Sequence, residues 1–250
     1  MPAEESTSAI VLRARDYSES DRIVTLLTRD FGKLSGIAKG AKASRRRFER
    51  KLEPFSHVML FFRRRPHGQL VFITRAERGE SVPPALEDDL GKIALGSYML
   101  ELADALTSEE AEAAAAYRVL LDALDVLGRG VASHALRHAY ELKLLGATGY
   151  GLEFGRCRLC GCVEAETGTV YFVAARGGVI CTRCRANAPE GAVRLSAANA
   201  AILARLNTAS FDEASALTHG GADGALALAR FLASILDRKL RSVEFLESVL

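Results

Sequence analysis

The spacing of apolar side chains changes once along this chain, and that change organises everything else. In the front part, five runs are dense in Val, Ile, Leu, Phe and Thr: AIVLRAR (9–15), RIVTLLT (22–28), KLSGIA (33–38), SHVMLFF (56–62) and QLVFIT (69–74). Side chains of these types pack well on a pleated, half-buried surface, so each run predicts a β-strand. Turn-forming pieces (DYSESD, DFG, RPHG) separate most of them, while a long basic stretch lies between the third and the fourth. Five short strands in so little chain suit a small closed barrel. The OB-fold is the common five-stranded form, and an SH3-like barrel fits nearly as well by count.

The period changes at SVPPALEDD, where Pro83 and Pro84 end what precedes them and the second can sit in the first turn of a helix. Beyond it, Leu86, Leu90, Ile93, Met99, Leu102 and Leu106 recur at three- and four-residue spacings, which predicts an amphipathic helix. TSEE (107–110) resembles a capping box for a second helix reaching to Leu127. Ser133 is placed to cap a third, with Leu136, Tyr140 and Leu144 on one face and a stop near Gly146. Helical spacing then disappears until Ser196 and returns a second time near Ala222. The predicted organisation is α+β: a five-stranded barrel domain over 1–80 and a helical domain over 81–250, interrupted by a cysteine-bearing insert over 155–190.

Composition places few further bounds. The chain has 250 residues, 49% of them apolar and 26% charged, the balance of an ordinary folded soluble protein. MPAEESTS carries acids where an export signal carries cations, and the longest apolar candidate for a membrane span, ALALARFLASIL, contains Arg230. A cytoplasmic protein without a membrane partner is expected, and its five cysteines then read as metal ligands or thiols before disulfides.

Charge changes the picture more. Residues 1–80 hold 17 Lys and Arg against 10 Asp and Glu, leaving 16 against 21 for the remainder. A chain polarised in this way presents its front end to a polyanion. The bases are concentrated in Lys39, Lys42, Arg45, Arg46, Arg47, Arg50 and Lys51, between the third and fourth strands, and in Arg63, Arg64 and Arg65 at the next turn. Such a cluster can neutralise phosphates without sequence preference. An isolated run of this kind is equally compatible with a solvated loop; its place within a barrel favours a nucleic-acid surface. Phe48 lies among the cations, either to stack on a base or to anchor the loop in the core.

The sharpest local signal is CRLC (157–160) and CTRC (181–184), two matched knuckles with 20 residues between Cys160 and Cys181. Thiolates of Cys157, Cys160, Cys181 and Cys184 would complete a tetrahedral sulfur shell around one structural Zn²⁺; four free or redox thiols are the alternative. TVYFVAARGGVI between the knuckles reads as a hairpin with a Gly-Gly turn, as in a zinc ribbon, and Cys162 reads as a bystander. HALRH (134–138) sets two histidines at i, i+4 but lacks the Glu of a zinc protease and an evident third ligand. Neither GIAKGAK (36–42) nor GYGLEFG (149–155) has the spacing of a phosphate-binding loop, and no activated nucleophile is visible. No catalytic residue, and hence no enzyme, is expected.

In this order the pieces resemble the bacterial recombination mediator family RecO. The resemblance is carried by YSESDRIVTLLTRDFGKLSGIAKGAKASRRRFERKLEPFSHVMLFF (17–62), YMLELADAL (98–106), AYELKLLGATGY (139–150) ahead of CRLCG, and LDRKLRSVEFL (236–246). It implies an N-terminal OB-fold and a helical domain carrying a zinc ribbon. It implies binding of single- and double-stranded DNA, annealing of complementary strands, and promotion of RecA loading with RecR on DNA coated by single-strand-binding protein. It implies a helical-domain pocket for that protein's C-terminal tail, and a cytoplasmic, nucleoid-associated location. The family motifs put Lys39 and the following basic loop on the DNA face, and Arg238, Lys239 and Arg241 match a basic motif in the terminal helix. Two other classes remain open from the residues alone: a zinc-ribbon RNA-binding or ribosome-associated module, and a scaffold that receives acidic protein tails.

Overall fold

The computed structural model describes residues 3–44, 47–48, 50–65, 69–79, 86, 89–108, 113–163, 168–187 and 191–250. Five strands, β1 (Glu5–Asp16), β2 (Arg22–Thr28), β3 (Gly32–Ala38), β4 (His57–Arg63) and β5 (Val71–Arg78), close into a barrel in the order β1-β2-β3-β5-β4. β1 is long enough to serve two neighbours. Its first half pairs with β4 and its second half with β2, and a register shift between Val11 and Arg13 bends it from one to the other. All pairs are antiparallel except β3 with β5, where Gly36 faces Val71. This five-stranded closure is the OB-fold barrel expected from the sequence.

Alternation fills the barrel. Val24 and Leu26 of β2, and Val58, Leu60 and Phe62 of β4, point inward, joined by Ala9, Val11, Ile73 and, from the basic loop, Phe48 and Leu52. The opposite faces of β1 and β2 do not meet water either. Helices α1 (Leu90–Leu106) and α2 (Ala114–Arg129) pack on them, so Ile10, Leu12, Ile23 and Leu27 are buried as well. Polar bonds fix these helices to the barrel. Lys33 Nζ donates to the Asp104 backbone oxygen at 2.6 Å and lies 3.2 Å from its carboxylate, and the buried His57 Nε2 lies 2.7 Å from the Tyr117 hydroxyl. The barrel, α1 and α2 thus belong to one compact unit, residues 1–129, and residues 130–248 form another. α1 starts at Leu90, capped by Asp89, whose side chain accepts from the Lys92 amide. Pro83, Pro84 and the acids of the expected capping box, Glu109 and Glu110, lie outside the described residues.

In the second unit, α3 (His134–Ala147) is capped by Ser133 and buries Leu136, Tyr140 and Leu144 on one face, as the spacing predicts. A three-stranded sheet follows, β6 (Thr169–Val173), β7 (Gly178–Cys181) and β8 (Val193–Ser196), in the order β7-β6-β8. β6 and β7 are the expected hairpin, turning through Gly177 at φ 60°, where a side chain would be strained. β8 is too short to show a period. Helices α4 (Ala197–Thr208), α5 (Phe211–Ser215), α6 (Gly221–Ile235) and α7 (Ser242–Val249) complete the chain. Among the described residues, no helix is long and apolar enough to cross a membrane.

Candidate nucleic-acid interface and metal centre

The basic segment leaves β3 at Ala38 and is tied down at once. Gly40, at φ 67°, donates its amide to Asp21 Oδ1 at 2.9 Å, and the Lys42 amide donates to the Ser20 oxygen at 3.1 Å. Lys42 Nζ meets Asp16 at 2.8 Å and the Ser18 oxygen at 3.1 Å. The segment is therefore fastened to the β1–β2 turn. Further on, Phe48 is 3% exposed and plugs the barrel beside Leu52, which decides its role: it anchors the loop and offers no face to a ligand. Arg47 stays outside, its guanidinium 5.0 Å from the Phe48 ring and donating to the Lys39 oxygen at 3.2 Å. Its own carbonyl accepts from the Ala76 amide, which pins the loop to β5.

Lys39, Lys42, Arg47 and Arg50 are exposed and Lys51 is half-buried. Lys42 and Arg50, with Arg22, line a hollow of about 340 Å³ floored by Phe48 and Leu52. Arg63 stands in register with Phe72, and Phe72 with Ile37, just ahead of Lys39. Two strand spacings, about 10 Å, thus separate the backbones of the two basic groups. Arg64 is exposed, 3.2 Å from Glu5 and above the Phe31 ring, and Arg65 is exposed beyond it. Arg45 and Arg46 lie outside the described residues. The acids nearby do not cancel the cluster. Asp16 is shared between Lys42 and Arg22, and the Lys42 hydrogen bond, ahead of that from Arg22, holds its carboxyl below the usual carboxylate range. Exposed pairs of this kind contribute little and can yield to a phosphate.

Arg238, Lys239 and Arg241 are exposed in the second unit. They occupy the link between α6 and α7 and not a helix, because α6 stops at Leu236 in an extended conformation and Arg241 stands at the start of α7.

The cysteines come together. Cys157, Cys160, Cys162 and Cys181 hold their sulfur atoms within 4.8 Å of one another, with Cys160 3.3 Å from Cys162 and 3.6 Å from Cys181. A tetrahedral ion with metal–sulfur bonds of about 2.3 Å needs sulfurs at nearly this separation. Cys184, an expected ligand, packs against this group but is not one of the four whose sulfurs gather; hydrogen bonds with Cys160 and Cys181, and then burial, push its thiol up to about 12. The first knuckle is built to hold an anion. Burial alone would raise the Cys157 thiol, but amide donors from Cys160, Cys181 and Leu159 outweigh it and bring it to about 6. The amide of Cys157 donates to the Cys162 oxygen and that of Gly161, at φ 72°, to the Cys157 oxygen, closing the turn that aims both sulfurs inward. The residues fit a metal ion. Cys162, read from the sequence as a bystander, stands inside the group; its position two residues past the knuckle, in CRLCGC, was the available signal.

Two further side chains were not anticipated. Tyr17 is 64% exposed at the β1–β2 turn, an aromatic isolated in a polar stretch. His219 joins His134 and His138, with ring centroids 5.4–6.4 Å apart, though their donor atoms do not gather as those of the cysteines do.

Comparison with known proteins follows the same division of the chain. Two family models match: Recombination protein O N terminal over residues 1–81, and Recombination protein O C terminal over residues 87–244. A DNA repair protein RecO from Anaeromyxobacter sp. (strain Fw109-5) is 39% identical over 97% of this chain and 95% of its own length. Proteins of the same name from Symbiobacterium thermophilum and a Nocardioides species are 34% and 35% identical, covering 98% and 96% of this chain and 97% of their own lengths.

Proposed function

The chain belongs to the RecO family, and from that premise we propose that it is a recombination mediator in DNA repair. It binds single- and double-stranded DNA through its barrel and anneals complementary strands. With RecR, it promotes RecA loading on DNA coated by single-strand-binding protein, whose C-terminal tail it receives. It works in the cytoplasm at the nucleoid. One observation supports the DNA-binding reading: the basic loop is tied to the β1–β2 turn through Gly40 and Lys42 and to β5 through Arg47, so these ties hold Lys42 and Arg47 at the barrel.

Two complementary strands repel each other, and a surface that neutralises phosphates on both lowers that barrier. No bond forms or breaks, so no catalytic residue is required. Lys39, Lys42, Arg45, Arg46, Arg47, Arg50 and Lys51 supply the positive face, with Arg63, Arg64 and Arg65 beside it. Arg238, Lys239 and Arg241 offer a second basic segment. The cysteine cluster holds one structural zinc, whose role is to fix the fold of the insert. Cys157, Cys160, Cys181 and Cys184 remain the proposed ligands, with Cys162 close enough to replace one.

Lys39→Glu combined with Arg50→Glu tests the reading, because both side chains are exposed and the change spares the core. Affinity for both DNA forms should fall and annealing should slow. The slope of log affinity against log salt should flatten by about one unit for each phosphate that is no longer neutralised. A folded double variant that binds and anneals like the parent would overturn it. Competition with RNA of equal length separates DNA binding from the RNA alternative.

A further inference from the structure

We propose that Tyr17 is a platform on which an unpaired nucleobase stacks, so that the barrel grips a single strand by a base as well as by its phosphates. The inference rests on the basic loop being the DNA face and adds the interaction that tells an open strand from a duplex.

The geometry is specific. Tyr17 is 64% exposed, although nothing in the surrounding turn is apolar enough to need its ring for packing. The turn that carries it is not loose. The amides of Tyr17 and Ser18 both donate to the Asp21 oxygen, at 3.0 and 3.4 Å, and the Asp21 amide donates to Ser18 Oγ at 3.1 Å. Asp21 also takes the Gly40 amide, and Lys42 reaches Ser18 and Ser20, so the ring's mount is braced from the loop that bears the cations. An exposed ring on a preorganised mount loses little entropy on binding.

Charge around the ring assigns the ligand. Asp16, immediately before Tyr17, is occupied by Lys42 at 2.8 Å and Arg22 at 3.3 Å, which brings two cations close to the platform. Glu19 remains exposed at the tip and repels phosphate, so the tip itself suits the uncharged face of a base while the flanking cations suit the backbone. Stacking on an aromatic ring tolerates any base, which matches a surface without sequence preference. In a duplex the base faces are already stacked and cannot reach the ring. Phe48, the other aromatic of the basic segment, is buried and cannot do this.

Full-length protein, Tyr17→Ala, Tyr17→Phe and the Lys39→Glu/Arg50→Glu variant are titrated with a labelled oligothymidine, the same backbone with abasic sites, and a blunt duplex, each over a salt series. Tyr17→Ala should lose roughly five- to hundred-fold in affinity for oligothymidine, with an unchanged salt slope because no charge is removed. It should match the parent on duplex and on abasic strand, and Tyr17→Phe should behave as the parent throughout. Oligothymidine affinity unchanged in Tyr17→Ala, or an equal loss on all three ligands, overturns the platform while leaving the charged face standing if the double variant is impaired. A double variant that binds every ligand normally removes the DNA face itself.

Discussion

His138 is 2% exposed, and among the described residues its Nδ1 has no hydrogen-bond partner. Burial, before any neighbouring charge, holds its pKa below the ordinary 6.5; the Glu141 carboxylate works against this, while Arg137, His134 and His219 add to it. His134 is lowered too, first by burial and then by His219 and Arg137, against the Leu250 backbone and Glu141. A histidine depressed in the folded state takes up its proton first in the unfolded chain. The stability it contributes is complete above about 6.5 and is lost as pH falls from there toward the folded value. The urea midpoint of the second unit should therefore drop as pH is lowered below about 6.5. His138→Leu should flatten that dependence at no cost at pH 7.5, since it also removes an unsatisfied buried nitrogen; an unaltered pH profile would refute it. At this scale the sequence speaks unevenly. The spacing of the two knuckles announced a cluster of cysteines that could hold a metal ion, but the place of Cys162 in it, where Cys184 was expected, depended on a turn closed through Gly161. Which aromatic faces outward, Tyr17 or Phe48, is set by the barrel's closure and not by residue type.

Whole elements were the most legible level. The density of Val, Ile, Leu, Phe and Thr in RIVTLLT and SHVMLFF marked β2 and β4, and β2 is buried along nearly its whole length because the barrel fills one face and α2 packs on the other. Ser133 marked α3 because a side-chain oxygen there satisfies an amide the helix leaves unpaired; returning apolar spacing marked α4, and the structure adds Ser196 as its cap. What escaped was structure held only by distant partners. β8 spans Val193–Ser196 and exists because β6 offers it an open edge. LDRKLR (236–241) reads as helix by composition, yet it forms the link between α6 and α7. The attachment of α1 to the barrel is of the same kind, resting on Lys33 and Arg13 meeting one acid, Asp104, at 3.2 and 3.7 Å. Lys33 and Asp104 are both mostly buried, so removing the carboxylate leaves the cation with the Asp104 backbone oxygen but without its countercharge. Asp104→Ala should cost about 1–3 kcal/mol in urea unfolding. The loss should shrink when Lys33→Met is already present; simple additivity of the two changes would show that the pair is not coupled.

On the scale of the molecule, the two compact units solve the same problem of size by different means. The first fills a barrel from within and packs α1 and α2 on the outer faces of β1 and β2, so that those strands are buried on both sides. The insert of the second is two-sided: Phe172, Val179 and Leu195 are buried with the rest of that unit, while the cluster around the knuckles is small, Cys157, Val173, Ile180 and Cys181, with Cys162, Tyr171, Cys184 and Ala192 half-buried around it. Half of that cluster is cysteine, and several thiolates crowded without a cation repel one another. An ion held by the sulfurs would relieve that repulsion and fix the two knuckles against the sheet. Removing the metal with a strong chelator should therefore be a local event. Amides of β6 and β7 should lose hydrogen-exchange protection by orders of magnitude while those of β2 and β4 keep theirs, and DNA binding through the barrel should survive. Substituting Co²⁺ should give the intense sulfur-to-metal charge-transfer bands of a tetrahedral thiolate site, weakened in Cys157→Ser. Protection of β6 and β7 that is indifferent to chelation would mean that the thiols hold the insert without an ion.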